Sequence, residues 1–246
     1  MVGSASAPRV VKTREAWPGG NNPVDRAIAQ STHIDKGLDL PPRVQYFPCD
    51  VGRGLDFKKQ FALIQNALQG SRYGSKTVLQ AEFDVTDVNM FLKLNQFRPH
   101  VVHISGNQNG GDVLLPSYDG GEIVVQDIAL AGLLSSQGSQ VRLVIVDTCM
   151  SYKCALRVCD LVAYAIGVED IIYDNEAIRF YEILYQALGA GQSVVDAHRQ
   201  AVASLEFIGV PGSRIPKLCL KSGKNAATEF FSETKQFDQD GMPGSG

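Results

Sequence analysis

The sequence predicts one α/β domain built on a mostly parallel sheet, and three observations point there. Short apolar runs alternate with amphipathic stretches of helical period across the middle of the chain. Two of those runs, around Val101, Val102 and Ile104 and at Leu143-Val144-Ile145-Val146, have the continuous apolar character of buried parallel strands. Both stop abruptly at small and polar residues, as strands do where α/β sheets bind ligands.

The elements follow in order. Residues 44–49 read as a short strand, and residues 55–68 as a helix with Phe57, Phe61, Ile64 and Leu68 on one face. Residues 77–83 return as a strand, completing a βαβ unit. Thr86 caps a helix whose apolar residues are Val88, Phe91, Leu92 and Phe97; Pro99 ends it, and 101–105 is the next strand. Residues 113–115 and 123–125, separated by Tyr118-Asp119-Gly120-Gly121, form a hairpin. A crossover helix over 128–134 leads to the strand at 141–146, with the right-handed connection such crossovers favour.

A loop or short helix follows Cys149, then a strand over 161–167. The next helix places Ala177, Tyr181, Leu184 and Leu188 on one face and ends at Gly189-Ala190-Gly191. Ser193-Val194-Val195-Asp196 has the pattern of a capping box opening another helix. Residues 215–220 supply an edge strand, where Pro216 is tolerated.

Composition narrows the function. The 246 residues are 44% hydrophobic, enough for one well-buried core. Net charge is −3 and the 23 Lys and Arg are scattered, so no basic stripe exists for nucleic acid to bind directly. The lack of any membrane-length apolar run or signal sequence leads us to expect a soluble cytoplasmic protein with no membrane partner. The five cysteines are odd in number, without a C-x-x-C pair or His at metal spacing, which argues against a disulfide framework, a metal or any cofactor. Cys154, Cys159 and Cys219 read as buried or half-buried thiols. His100 and His198 read as solvated residues, and His33 lies in an irregular leader. Residues 1–42 read as a flexible leader or linker, 43–221 as the domain, and 222–246 as a polar tail ending in a cloning remnant. The Gly-rich stretch 106–111 lacks a phosphate-cradle signature and reads as a flap.

The chemistry concentrates in His103-Ile104-Ser105-Gly106-Asn107-Gln108 and Asp147-Thr148-Cys149-Met150-Ser151. Each lies at the end of an apolar strand, where a thiol and an imidazole would meet.

Five stretches carry a family resemblance, in order, across roughly residues 43–221. They are Phe97-Arg98-Pro99-His100-Val101-Val102-His103-Ile104-Ser105-Gly106, Arg142-Leu143-Val144-Ile145-Val146-Asp147-Thr148-Cys149, Ala165-Ile166-Gly167, Asn175-Glu176-Ala177-Ile178-Arg179-Phe180-Tyr181 and Gly191-Gln192-Ser193-Val194. Together they resemble a CHAT domain, the caspase-like cysteine-peptidase fold shared with separases. The resemblance implies a caspase-like three-layer αβα sandwich with a mostly parallel six-stranded sheet and a Cys–His dyad at the strand ends.

By that likeness Cys149 is the nucleophile, with exposure and nearby backbone amides favouring its thiolate. The family pattern His-Phe-Ser-Gly-His-Gly places the general base at position 107, where this chain has Asn107. A carboxamide does not titrate near neutrality and cannot take the thiol proton. Gln108 stands where a Gly would offer its amide to the oxyanion; it keeps the amide, but its Cβ restricts the backbone. His103 is a weak substitute base, four residues or roughly 13 Å away along an extended strand, so a structural role is favoured for it.

Asp-x-Cys-x-Ser resembles the nucleophile motif of metacaspases and paracaspases, which implies that Asp147 pairs with an Arg or Lys side chain of the substrate. The residues alone leave a strand-end cap as an equal alternative. Asp50 is a candidate second wall. Two readings follow. One is an endopeptidase cleaving after basic residues in a signalling or defence protein, impaired because Asn107 replaces the base, with sensor or activator modules upstream. The other is a pseudo-peptidase that binds or regulates protein partners.

Overall fold

Residues 42–52, 56–109 and 112–221 are described by the computed structural model. Their strands are β1 (Arg43–Cys49), β2 (Val78–Ala81), β3 (Val101–Gly106), β4 (Gln108–Asn109), β5 (Asp112–Pro116), β6 (Glu122–Val125), β7 (Leu143–Asp147), β8 (Tyr164–Gly167) and β9 (Lys217–Leu220). The helices are α1 (Phe57–Gln69), α2 (Asp87–Phe97), α3 (Asp127–Ser135), α4 (Tyr152–Cys159), α5 (Asp174–Gly189) and α6 (Val194–Phe207). Six strands form one sheet in the order β2-β1-β3-β7-β8-β9, parallel except for β9. The expected hairpin is present as β5–β6, extended by β4 into a small antiparallel sheet.

Alternation along the strands assigns the two faces. Val44, Tyr46, Ile145 and Ile166 meet Ile64 and Leu68 of α1, Phe180 and Leu184 of α5, and Leu205 of α6. Phe47, Val102, Ile104, Val144 and Val146 point the other way, into Met90 and Leu94 of α2, Leu130 and Leu134 of α3, and Ala155 and Val158 of α4. Each fully buried side chain of this kind contributes about 1.5–3 kcal/mol relative to exposure. The result is the expected αβα sandwich.

The turn after β7 is fastened to β8. Ser151, fully buried, donates from Oγ to Val146 O (2.6 Å) and accepts from Val168 N (3.0 Å). Gly167 permits this approach, since a Cβ there would lie 2.8 Å from both the Ala155 Cβ and the Ser151 carbonyl. The ends of β3 and β7 sit side by side, with Ser105 opposite Asp147.

Some expectations need correction. On α2 the buried residues are Met90 and Leu94, whereas Val88, Phe91 and Leu92 are exposed. Residues 161–163 do not join β8, because the Leu161 and Val162 amides both bond back to Val158 O and close a turn. His100 is buried rather than solvated, and His198 is half-buried. His100 Nδ1 accepts the Arg43 N–H at 3.0 Å, and the His198 Nε2–H donates to Pro216 O at 2.8 Å. No described helix is long and apolar enough to cross a membrane. The leader and tail, residues 1–41 and 222–246, lie outside the described residues.

Burial lowers the pKa of both His100 and His198 to about 4. Unfolded, each would take up a proton as pH falls through about 6.5, while the folded chain holds it neutral down to about 4. The unfolded state therefore binds more protons in that window, and stability falls as pH is lowered through it. Denaturant unfolding between pH 7 and pH 4 should show that decline, and a smaller one in His198→Gln.

Candidate active site

A cavity of about 450 Å³ opens over the ends of β3 and β7, between the first turns of α1 and α5. Asp56 starts α1 by accepting Lys59 N–H at 3.0 Å. The Tyr173 N–H is held by Glu176 Oε2 at 3.1 Å just before α5 begins. Asp56, Lys59 and Gln60 thus line one wall, and Ile171, Ile172, Asp174 and Asn175 the other. Three carboxylates (Asp56, Asp147, Asp174) against one amine (Lys59) give the cavity an acidic balance.

Asp147 is 7% exposed, and a carboxylate that deep needs charge-assisted partners. Gln60 Nε2 donates to its Oδ2 at 2.6 Å, and the Ser105 hydroxyl is shared between the same oxygen at 2.9 Å and Gln60 Oε1 at 2.8 Å. The Tyr46 phenol donates to Gln60 Oε1 at 2.5 Å, which fixes the amide with its nitrogen towards Asp147. α1 therefore supplies both a core face and the residue that holds the acid.

His103 lies beneath this network, fully buried in an aromatic cage. Its ring centroid is 4.6 Å from that of Tyr181, 5.1 Å from Tyr46 and 5.9 Å from Tyr185. Burial, and then the charge of Asp147, raise the Tyr185 phenol far above its usual value, so it stays protonated; it is hydrogen-bonded to His103 Nδ1 at 3.2 Å. Nε2 is left facing Asp147 Oδ2 at 3.6 Å. His103 does not line the cavity. As a substitute base it is poorly placed, being walled off by rings; it buttresses Asp147 instead.

Cys149 stands in the turn between β7 and α4, where Met150 takes a left-handed backbone (φ +55°) and its amide bonds to Asp170 O at 3.2 Å. The thiol is half-buried, 3.9 Å from the Ile172 carbonyl oxygen. Burial raises its pKa; the Ile172 backbone partly offsets this, and the Asp147 and Asp174 carboxylates raise it further. The thiolate-favouring surroundings expected from sequence are thus corrected: acid neighbours and desolvation keep this thiol protonated.

Asn107 lines the same cavity, and its Oδ1 is buried without a hydrogen-bond partner. Gln108 opens β4 and pairs with Val113, which engages the candidate oxyanion residue in the small sheet. Asp50 is not a second wall. It is exposed, outside the cavity lining, and its Oδ1 accepts the Gly52 N–H at 2.8 Å to close a turn.

Sequence reasoning missed Gln60, Thr148 and Asp174. Gln60 carried a signal, as a polar residue three after Phe57 and four before Ile64 on the apolar face of α1. Thr148 is 2% exposed and its Oγ1 has no partner. No group of His, Cys, Asp or Glu among the described residues is arranged to hold a metal.

No family profile and no curated protein matches the chain. Solved structures do. A secreted C11 cysteine protease from Bacteroides thetaiotaomicron, in complex with an irreversible peptide inhibitor, is similar at TM-score 0.51 and 12% identity, over 73% of this chain and 66% of that one. The Arg-specific cysteine proteinase gingipain R is similar at TM-score 0.52 and 12% identity, over 83% of this chain and 51% of that one. The fold is that of the caspase-like cysteine proteases. At such identities the likeness establishes fold alone.

The raised thiol makes a checkable statement. Iodoacetamide labelling of Cys149, followed by peptide mass spectrometry, should be slow at neutral pH and rise with a midpoint above that of an ordinary thiol. Asp174→Asn removes one raising charge and should move the midpoint down.

Proposed function

We propose that the chain is a caspase-like, CHAT-type cysteine endopeptidase domain with a pocket for a basic residue, disarmed as written by Asn107. The observation that carries this reading is that Cys149, Asn107 and the buried Asp147 line one cavity. A thiol beside a cation-binding acid is the arrangement needed to place the carbonyl after an Arg or Lys against a nucleophile. Gingipain R, of similar fold, is Arg-specific, which accords with an acidic pocket at this place in the fold. Impairment follows from two features: position 107 offers a carboxamide, and the thiol pKa is raised. The resemblance to CHAT domains further suggests a signalling or defence protein with sensor or activator modules upstream.

The second reading, a natural pseudo-peptidase that binds or regulates proteins, is favoured by the same two features. It retains the cavity as a receptor for a basic side chain and needs no proton transfer.

Cleavage of fluorogenic peptides ending in Arg or Lys separates the two. We expect little or no turnover by the chain itself or by Cys149→Ala, and a gain of about 10²–10⁴-fold in Asn107→His, the usual contribution of a positioned general base. Turnover by the chain as it stands, abolished in Cys149→Ala, would overturn the impairment. Silence of Asn107→His would favour the binding role.

A further inference from the structure

The two well-formed side-chain hydrogen bonds to Asp147 arrive on one oxygen, and the buried Tyr181 phenol beside the carboxylate completes none. Gln60 Nε2 donates to Oδ2 at 2.6 Å, the shared Ser105 hydroxyl reaches it at 2.9 Å, and His103 Nε2 faces that same oxygen at 3.6 Å. With Oδ2 occupied, the acid has Oδ1 to offer a ligand. That asymmetry discriminates between cations. A guanidinium is a planar fork that gains most from binding both oxygens of a carboxylate at once. A primary ammonium is a compact charge with three donors, satisfied by one anionic oxygen and neutral oxygens for the rest.

A neutral oxygen is at hand. Thr148 lines the same cavity, is 2% exposed, and its Oγ1 is buried with no hydrogen-bond partner. An unpartnered buried hydroxyl in the same lining is a polar cost that an ammonium, donating to its oxygen, would reduce. The remaining charges at the cavity, Asp56 and Asp174 with Lys59, act on either cation alike and set attraction without setting choice.

We propose that this pocket selects lysine over arginine, with Asp147 Oδ1 and Thr148 Oγ1 as the receptors of the side-chain ammonium. This rests on the peptidase-type reading of the cavity and narrows its substrate class. Ser105 and Gln60 are the positioning residues, because by occupying Oδ2 they deny the guanidinium its second contact.

The test is direct binding, which needs no turnover. Two fluorescein-labelled peptides, identical except for Lys or Arg at the basic position, are titrated against Cys149→Ala and followed by anisotropy. The Lys peptide should bind roughly tenfold tighter, the size of one charge-assisted hydrogen bond left unmade by Arg. In the Cys149→Ala/Ser105→Ala double variant the preference should narrow through a gain for Arg. In Cys149→Ala/Thr148→Val it should narrow through a loss for Lys, which keeps the test open if the Ser105 variant fails to fold. Equal affinity, or tighter Arg, in Cys149→Ala would overturn the lysine assignment while leaving a basic pocket standing. No binding of either peptide would overturn the peptidase-type reading and this inference with it.

Discussion

A carboxylate kept almost out of water at the end of a strand is the constraint on which the site depends. Asp147 would be costly to bury alone, so the fold supplies Gln60 from α1 and Ser105 from the neighbouring strand, with His103 behind them. Each partner is itself held. Tyr46 fixes the Gln60 amide, and Tyr185 holds the His103 ring through Nδ1. The chain of contacts runs from the sheet through two helices and back to one acid, which couples the packing of α1 and α5 to the chemistry of the cavity floor.

The same constraint bears on the thiol. Cys149 is two residues beyond Asp147, in a turn that Ser151 and Met150 fasten to β8 and to residue 170. A negative floor that suits a cationic ligand is a poor neighbour for a thiolate, and Asp174 adds to it. A family-type His at position 107 would counter both effects by accepting the proton and placing a positive charge nearby. Asn107 does neither, and its buried oxygen has no hydrogen-bond partner.

The strands were legible because their signal is local: the apolar runs of β3 and β7 and the Asp119-Gly120-Gly121 turn need no tertiary context. The positions of Asn107, Asp147 and Cys149 at strand ends were legible for the same reason. The orientation of α2 was not. Its two candidate stripes, Val88/Phe91/Leu92 and Met90/Leu94, are similarly apolar, and only packing on Phe47 and Val102 chooses the second. Asp50 misled because proximity to the end of β1 does not say which way a side chain turns. His103 was legible as structural from its distance along the strand, but the tyrosine cage comes from α5, far away in sequence.

The most direct test of the central claim is the affinity of a Lys-containing peptide for Cys149→Ala with and without Asp147→Asn, with circular dichroism confirming the fold. If Asp147 is the cation receptor, affinity should drop about a hundredfold or more, as when one partner of a buried charge pair is removed. Unchanged affinity in a folded Asp147→Asn protein would contradict the account, leaving Asp147 as a strand-end cap with no part in recognition.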